Sequence, residues 1–238
     1  MKNPIIVALD VPDEEAALNL TSQLSGKVGA FKIGLELFTR CGPNVVRKIR
    51  ETGSDVFLDL KLHDIPNTVA HAVRAAVELD IQMLTIHTCG GLDMMKAAEE
   101  SAQSGAAELG RPAPLVLGVT VLTSMDTNDL NRVGVEHDVA RQVERLASLA
   151  VEAGLRGLVC SPLEIETLRG FLPHETQLVT PGIRPAGADV GDQKRILTPR
   201  EAIDAGANWL VIGRPIRQPK EGSPAEAADA ILASLTSE

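Results

Sequence analysis

The residues of this 238-residue chain best suited to chemistry lie in one short run, Asp59-Leu60-Lys61-Leu62-His63-Asp64. Asp59 and Lys61 are two apart in a strand-like segment, so their side chains point to the same side, about 6–7 Å apart along the chain, while Leu58 and Leu60 point to the other. A lysine beside carboxylates is favoured as the cation, which suits a proton donor or a positive group that holds a substrate carboxylate. It does not suit Schiff-base chemistry, which needs the neutral amine. Asp10 and Lys32 fall near the ends of two earlier strand-like runs and add another carboxylate and another ammonium. A charge network that only satisfies itself is the plain alternative. Taking charges out of water is costly, however, and four of alternating sign converging on one place fit a reactive site better than a folding device.

Other chemistries lack their signatures. There is no Gly-x-Ser-x-Gly elbow, and the five histidines show neither His-x-His nor His-Glu-x-x-His spacing, so nucleophilic hydrolysis and zinc chemistry rank low. His63 and His87 read as packing or hydrogen-bonding residues. Cys41, Cys89 and Cys160 are odd in number and free of Cys-x-x-Cys spacing, which favours buried free thiols. A second functional region lies late in the chain, at Thr180-Pro181-Gly182-Ile183-Arg184-Pro185 and Ile212-Gly213-Arg214-Pro215. Glycines there free backbone N–H groups, and Arg184 and Arg214 supply charge for a phosphate. The run Gly187-Ala188-Asp189-Val190-Gly191-Asp192-Gln193 is suited to a loop that closes over a ligand, with Gln193 reaching it.

The elements that must position these groups alternate regularly. Strands are expected at 5–9, 30–33, 56–61, 83–87, 115–121, 157–160, 178–180 and 209–212, and helices at 13–24, 43–52, 66–79, 92–109, 139–153, 162–172, 199–205 and 224–235. Several of the helices begin with proline, whose fixed φ suits the first helical position. Eight βα units without a Gly-x-Gly-x-x-Gly turn predict an α/β fold, a closed (β/α)8 TIM barrel, as a single domain over residues 1–238. In such a barrel the C-terminal strand ends share one pocket, and the loops after strands seven and eight commonly take phosphate. Two longer loops, 123–138 and 182–198, stand out as binding segments.

Composition agrees with a packed globular chain: 44% hydrophobic and 23% charged residues. A formal net charge of −9 repels nucleic acid and anionic membrane surfaces, and four Phe, one Trp and no Tyr leave few platforms for stacking bases. The apolar run at the N-terminus is too short for the core of a signal peptide, and no segment approaches 18 consecutive apolar residues, so the cytoplasm is the expected compartment.

With these residues assembled, the chain resembles the bacterial orotidine 5′-phosphate decarboxylases. The likeness runs from Ala8-Leu9-Asp10 through Phe31-Lys32-Ile33-Gly34, Asp59-Leu60-Lys61-Leu62-His63-Asp64-Ile65-Pro66-Asn67-Thr68 and Val119-Thr120-Val121-Leu122-Thr123-Ser124, then on through the Arg184 segment and Asp192-Gln193-Lys194-Arg195 to Val211-Ile212-Gly213-Arg214-Pro215-Ile216. Leu62 departs from the aromatic common there, which bears on packing more than chemistry. The resemblance implies conversion of orotidine 5′-monophosphate to uridine 5′-monophosphate in de novo pyrimidine synthesis, with no metal, flavin or pyridoxal cofactor. It implies Lys61 as the proton donor at pyrimidine C6, flanked by Asp59 and Asp64. Asp10 and Lys32 would hold ribose hydroxyls and Thr123 the base, with Pro181 also in the substrate site. Arg184, Gln193, Gly213 and Arg214 would hold phosphate. It also implies a homodimer with shared active sites, in which Asp64, Ile65 and Thr68 reach into the other subunit. Related barrels that act on sugar phosphates share Asp-x-Lys-x-x-Asp but use magnesium; the Thr123-Ser124 loop, the Gly182-Ile183-Arg184-Pro185 turn and Asp192-Gln193-Lys194-Arg195 count against them. A non-catalytic nucleotide binder on the same scaffold is a further alternative, made improbable by the intact Asp59, Lys61 and Asp64.

Overall fold

The computed structural model describes residues 3–185 and 197–235. Its strands are β1 (Ile5–Ala8), β2 (Ala30–Gly34), β3 (Val56–Leu62), β4 (Met83–His87), β5 (Leu115–Val119), β6 (Gly157–Val159), β7 (Gln177–Thr180) and β8 (Trp209–Ile212). Each pairs in parallel with the next, and β8 closes on β1 through Ile5 with Leu210, Ile6 with Val211 and Val7 with Ile212. The predicted (β/α)8 TIM barrel is therefore the observed fold. No helix among the described residues is long and apolar enough to cross a membrane.

The helices are α1 (Glu14–Leu24), α2 (Leu35–Cys41), α3 (Pro43–Glu51), α4 (Pro66–Val77), α5 (Leu92–Glu108), α6 (Thr127–Arg132), α7 (Val139–Glu152), α8 (Ile165–Arg169), α9 (Pro199–Asp204), α10 (Arg214–Arg217) and α11 (Pro224–Ser234). Proline opens α3, α4, α9 and α11, where its missing N–H has no intrahelical partner to lose. Ser223 with Glu226 and Thr198 with Glu201 close reciprocal caps at the starts of α11 and α9.

Several elements differ from the sequence expectation. Helix α2 follows β2 directly and is split from α3 by Gly42 at φ 64°; only the proline at residue 43 had marked a start. The expected loop 123–138 contains α6, capped by Asp126 and Asp129, a box with aspartate where glutamate or glutamine is usual. The expected helix 162–172 opens as a 3₁₀ turn, Pro162–Glu164, continues as α8 and stops before Gly170. Strand β5 ends at Val119, where its pairing with β6 ends, two residues short of the expected 121. The short α10 after β8 was not foreseen. Of the three free thiols expected to be buried, only Cys160 is; Cys41 is half-buried and Cys89 exposed.

Strand periodicity divides the apolar residues into two cores. Outward residues such as Val7, Phe31, Leu58 and Leu84 pack under the helices, while inward Ile6, Ala30, Phe57, Met83, Leu117 and Val179 fill the barrel. Phe31, 1% exposed, is among the largest buried side chains of the outer core. Phe31→Ala is expected to lower unfolding free energy by ~3–5 kcal/mol, read as a reduced urea midpoint at unchanged slope. An unchanged midpoint would contradict this packing.

Candidate active site

Toward the C-terminal ends of the first four strands, the inward positions switch from apolar to polar within one pleat. Ala8 is followed by Asp10, Ala30 by Lys32, Phe57 by Asp59 and Met83 by Thr85. The charges form one chain. Lys32 Nζ lies 3.4 Å from an oxygen of Asp10 and 3.4 Å from Oδ2 of Asp59. Lys61 Nζ donates to Oδ1 of Asp59 at 2.7 Å. Gly34 leaves the room this needs, since a Cβ there would come within 3.0 Å of Lys32 Nζ.

The reach of Lys61 depends on an irregularity in β3. Leu58 pairs with Leu84, but Leu62 pairs with Ile86, so Asp59, Leu60 and Lys61 all stand opposite the single residue Thr85. Such a bulge re-aims side chains. Lys61 takes φ 52°, a left-handed conformation uncommon outside glycine. Its backbone N–H donates to Thr85 Oγ1 at 2.9 Å, and that hydroxyl donates to Asp59 Oδ1 at 3.0 Å. Burial alone would push the Asp59 carboxyl up, but Lys32 and Lys61, with hydrogen bonds from Lys61 and Thr85, hold it below the usual aspartate range.

Two adjoining clefts meet at these charges. One, about 140 Å³, is lined by Asp10, Lys32, Asp59 and Lys61 with Gly34, Leu35 and Glu36; the other, about 210 Å³, by Lys32, Asp59, Lys61, Thr123, Pro181, Phe57, Cys160 and Ser161. The second has an apolar wall from Val119, Val121, Val159 and Val211, as a flat ring would require. Burial pushes the Cys160 thiol up to about 12, so it lines the cleft as an inert group. A wider groove of about 770 Å³, lined by His137, Arg141, Glu144 and Arg145 among others, involves no strand end.

Asp10, Lys32, Asp59, Lys61, Thr123 and Pro181 are thus brought together. Gly213 precedes the first residue of α10, Arg214. Arg184 is buried, donates to the Ile183 carbonyl at 2.9 Å and has its pKa lowered by burial and by the nearby charge of Arg214. Two guanidinium groups within each other's field favour an anion between them. Gln193 lies outside the described residues. Asp64, Ile65 and Thr68 stand apart from the cleft: all three are exposed, Ile65 by 66%. The Asp64 carboxylate accepts the Ile65 N–H at 2.6 Å, and no hydrogen bond or ion pair among the described residues joins it to Lys61. His63 and His87 have ring centroids 5.7 Å apart, and burial, then His63 and Lys61, push the His87 pKa down against the pull of Asp59. Thr85 was not foreseen from the sequence, although its parity with Met83 and His87 on an inward face was a usable signal. Nor were Leu35 and Glu36, which belong to the unforeseen α2.

The model of the orotidine 5′-phosphate decarboxylase / HUMPS family matches residues 3–231. The chain belongs to that family. It is 55% identical over 233 residues to the orotidine 5′-phosphate decarboxylase of Opitutus terrae, covering 98% of each chain. It is 52% identical to that of Moorella thermoacetica, covering 98% of this chain and 92% of the other. The crystal structure of the enzyme from Lactobacillus acidophilus superposes with a TM-score of 0.87 at 37% identity, over 99% of this chain and all of that one. Family membership accounts for the barrel; the placement of the charges is read from this chain's own geometry.

The lowered pKa of Asp59 has a thermodynamic counterpart. A carboxyl whose folded pKa lies below its unfolded value adds stability that is present above the unfolded pKa and is lost as pH falls through the folded one. The stability difference between wild type and Asp59→Asn, measured by urea unfolding, should therefore be greatest near neutrality and shrink as pH falls below the ordinary aspartate range. A difference independent of pH would show that Asp59 is not held ionised by Lys32 and Lys61.

Proposed function

We propose that this chain decarboxylates orotidine 5′-monophosphate to uridine 5′-monophosphate, with Lys61 protonating C6 of the ring. The observation that carries this reading is the alternating chain Asp10, Lys32, Asp59, Lys61 beside an apolar-walled cleft, in a member of this family. Breaking the bond between C6 and the carboxylate releases carbon dioxide and leaves an electron pair at C6 that the ring cannot readily delocalise. A fixed ammonium that can also give up a proton meets that charge as it forms. The pair at C6 takes a proton from Lys61 Nζ, and the neutral amine later regains one from solvent. Asp59, ionised because two ammonium groups hold it so, fixes Lys61 before the substrate arrives.

Far from the reacting carbon, Arg184 and Arg214 serve the phosphate, and binding there contributes to the transition state through orientation. Pro181 and Thr123 line the base side of the cleft, and Asp10 and Lys32 the ribose side. On this reading the enzyme works in the cytoplasm without a metal or organic cofactor. The decisive assay follows loss of orotidine monophosphate absorbance in the presence of a chelator. Turnover should survive the chelator, and Lys61→Ala, folded by circular dichroism, should lose at least ~10²-fold in kcat. Activity abolished by the chelator and restored by magnesium would move the protein to the sugar-phosphate side of its family, and near wild-type turnover by Lys61→Ala would remove Lys61 from the chemistry.

The exposed run 63–68 supports a homodimer with shared sites. Asp64 is exposed, has no hydrogen bond or ion pair to its own Lys61 among the described residues, and sits just before Pro66 opens α4. Mixing Lys61→Ala and Asp64→Ala proteins under subunit exchange should create hybrids with one doubly defective site and one intact site. Activity should return to about a quarter of wild type for random equal mixing. Exchange seen by mass spectrometry without recovered activity would rule out sharing.

A further inference from the structure

We propose that Thr85 is a positioning residue for the reacting lysine, fixing both the backbone and the ionic partner of Lys61 through one hydroxyl. The inference rests on the decarboxylation reading only for its kinetic arm. Thr85 is 0% exposed and lines neither cleft, so it cannot touch a ligand there. Its hydroxyl nonetheless makes two bonds at the heart of the site, accepting the Lys61 N–H at 2.9 Å and donating to Asp59 Oδ1 at 3.0 Å.

The need for this hydroxyl follows from the bulge. With three residues of β3 facing one of β4, the regular ladder cannot take the Lys61 N–H, and a buried N–H without a partner is costly. The Thr85 side chain supplies the missing acceptor. A hydroxyl has a single proton, so accepting from Lys61 leaves that proton to Asp59. The two bonds therefore have a fixed sense, and a β-branched side chain with few χ1 states holds it. Asp59 Oδ1 is also the oxygen that takes Lys61 Nζ at 2.7 Å. Threonine thus ties the two ends of the same lysine to one point, and the left-handed φ of Lys61 is held in place by it. Among the described residues, the charged and titratable groups around Asp59 include Lys32 from β2, with Asp10 on its far side, Lys61 from β3 and His87 from β4, and Thr85 joins them as an uncharged donor.

The test compares Thr85→Val, which keeps the volume but removes the hydroxyl, with Thr85→Ser, which keeps the hydroxyl. If the valine variant does not fold, Thr85→Ala takes its place. The expected result is a loss in kcat of about tenfold or more for the valine variant with KM changed by less than about threefold, and recovery of most of that loss by serine. Carboxyl ¹³C NMR of the ligand-free proteins supplies a second readout: the Asp59 titration should move upward in the valine variant and return with serine. A merely structural threonine would lower stability without moving that titration or splitting kcat from KM. Serine no better than valine, or an Asp59 titration unmoved in the valine variant, would overturn the proposal. Failure of wild type to decarboxylate the nucleotide, with the Asp59 titration still moving as expected, would overturn the decarboxylation reading and leave Thr85 in its role.

Discussion

The carboxylate of Asp59 is drawn out of water yet kept charged by an ammonium on either side, and the mouth of the barrel is organised around that balance. Desolvation opposes the charge; Lys32, Lys61 and the Thr85 hydroxyl together outweigh it. Neither lysine could be so placed without the carboxylate, because two converging ammonium groups would repel and each would be costly to bury alone. The pairing also explains why the neighbours are small or apolar. Gly34 yields space to Lys32, and Phe57, one pleat below Asp59, gives the charges an apolar floor.

Strand parity is what turns a linear sequence into this arrangement. Residues two apart share a face, so a strand that brings Ala30 into the barrel also brings Lys32 there, and one that brings Phe57 brings Asp59. For that reason the charged part of the site was legible: Asp10, Lys32, Asp59 and Lys61 are conspicuous at strand ends in a chain with regular alternation. The barrel was legible for the same reason, since eight short apolar runs each followed by a turn leave few other solutions.

What escaped the sequence are features that depend on pairing rather than pattern. The bulge in β3 exists only relative to β4, and although parity puts Thr85 on the inward face, only that pairing shows which groups its hydroxyl joins. Helix α2 was hidden because β2 runs into it with no intervening turn, and α6 because aspartate stands in for the usual third residue of its cap. Asp64 was correctly placed beyond the strand, and among the described residues no hydrogen bond or ion pair joins it to the lysine. The burial of Arg184 was also beyond sequence reasoning, because an arginine in a turn between proline residues looks solvated.

The side chains of Ile6, Ala30, Phe57, Met83, Leu117 and Val179 form an apolar floor beneath the charges. Such a layer gives water or a hydrated ion no polar partner on its way to the charges from below. If, as proposed, Lys61 gives up a proton, its replacement comes in most readily from the mouth, the side on which the product leaves. On the proposed reading, traffic in the two directions is coupled: a nucleotide filling the mouth would keep the lysine depleted, and its release would let the lysine recharge.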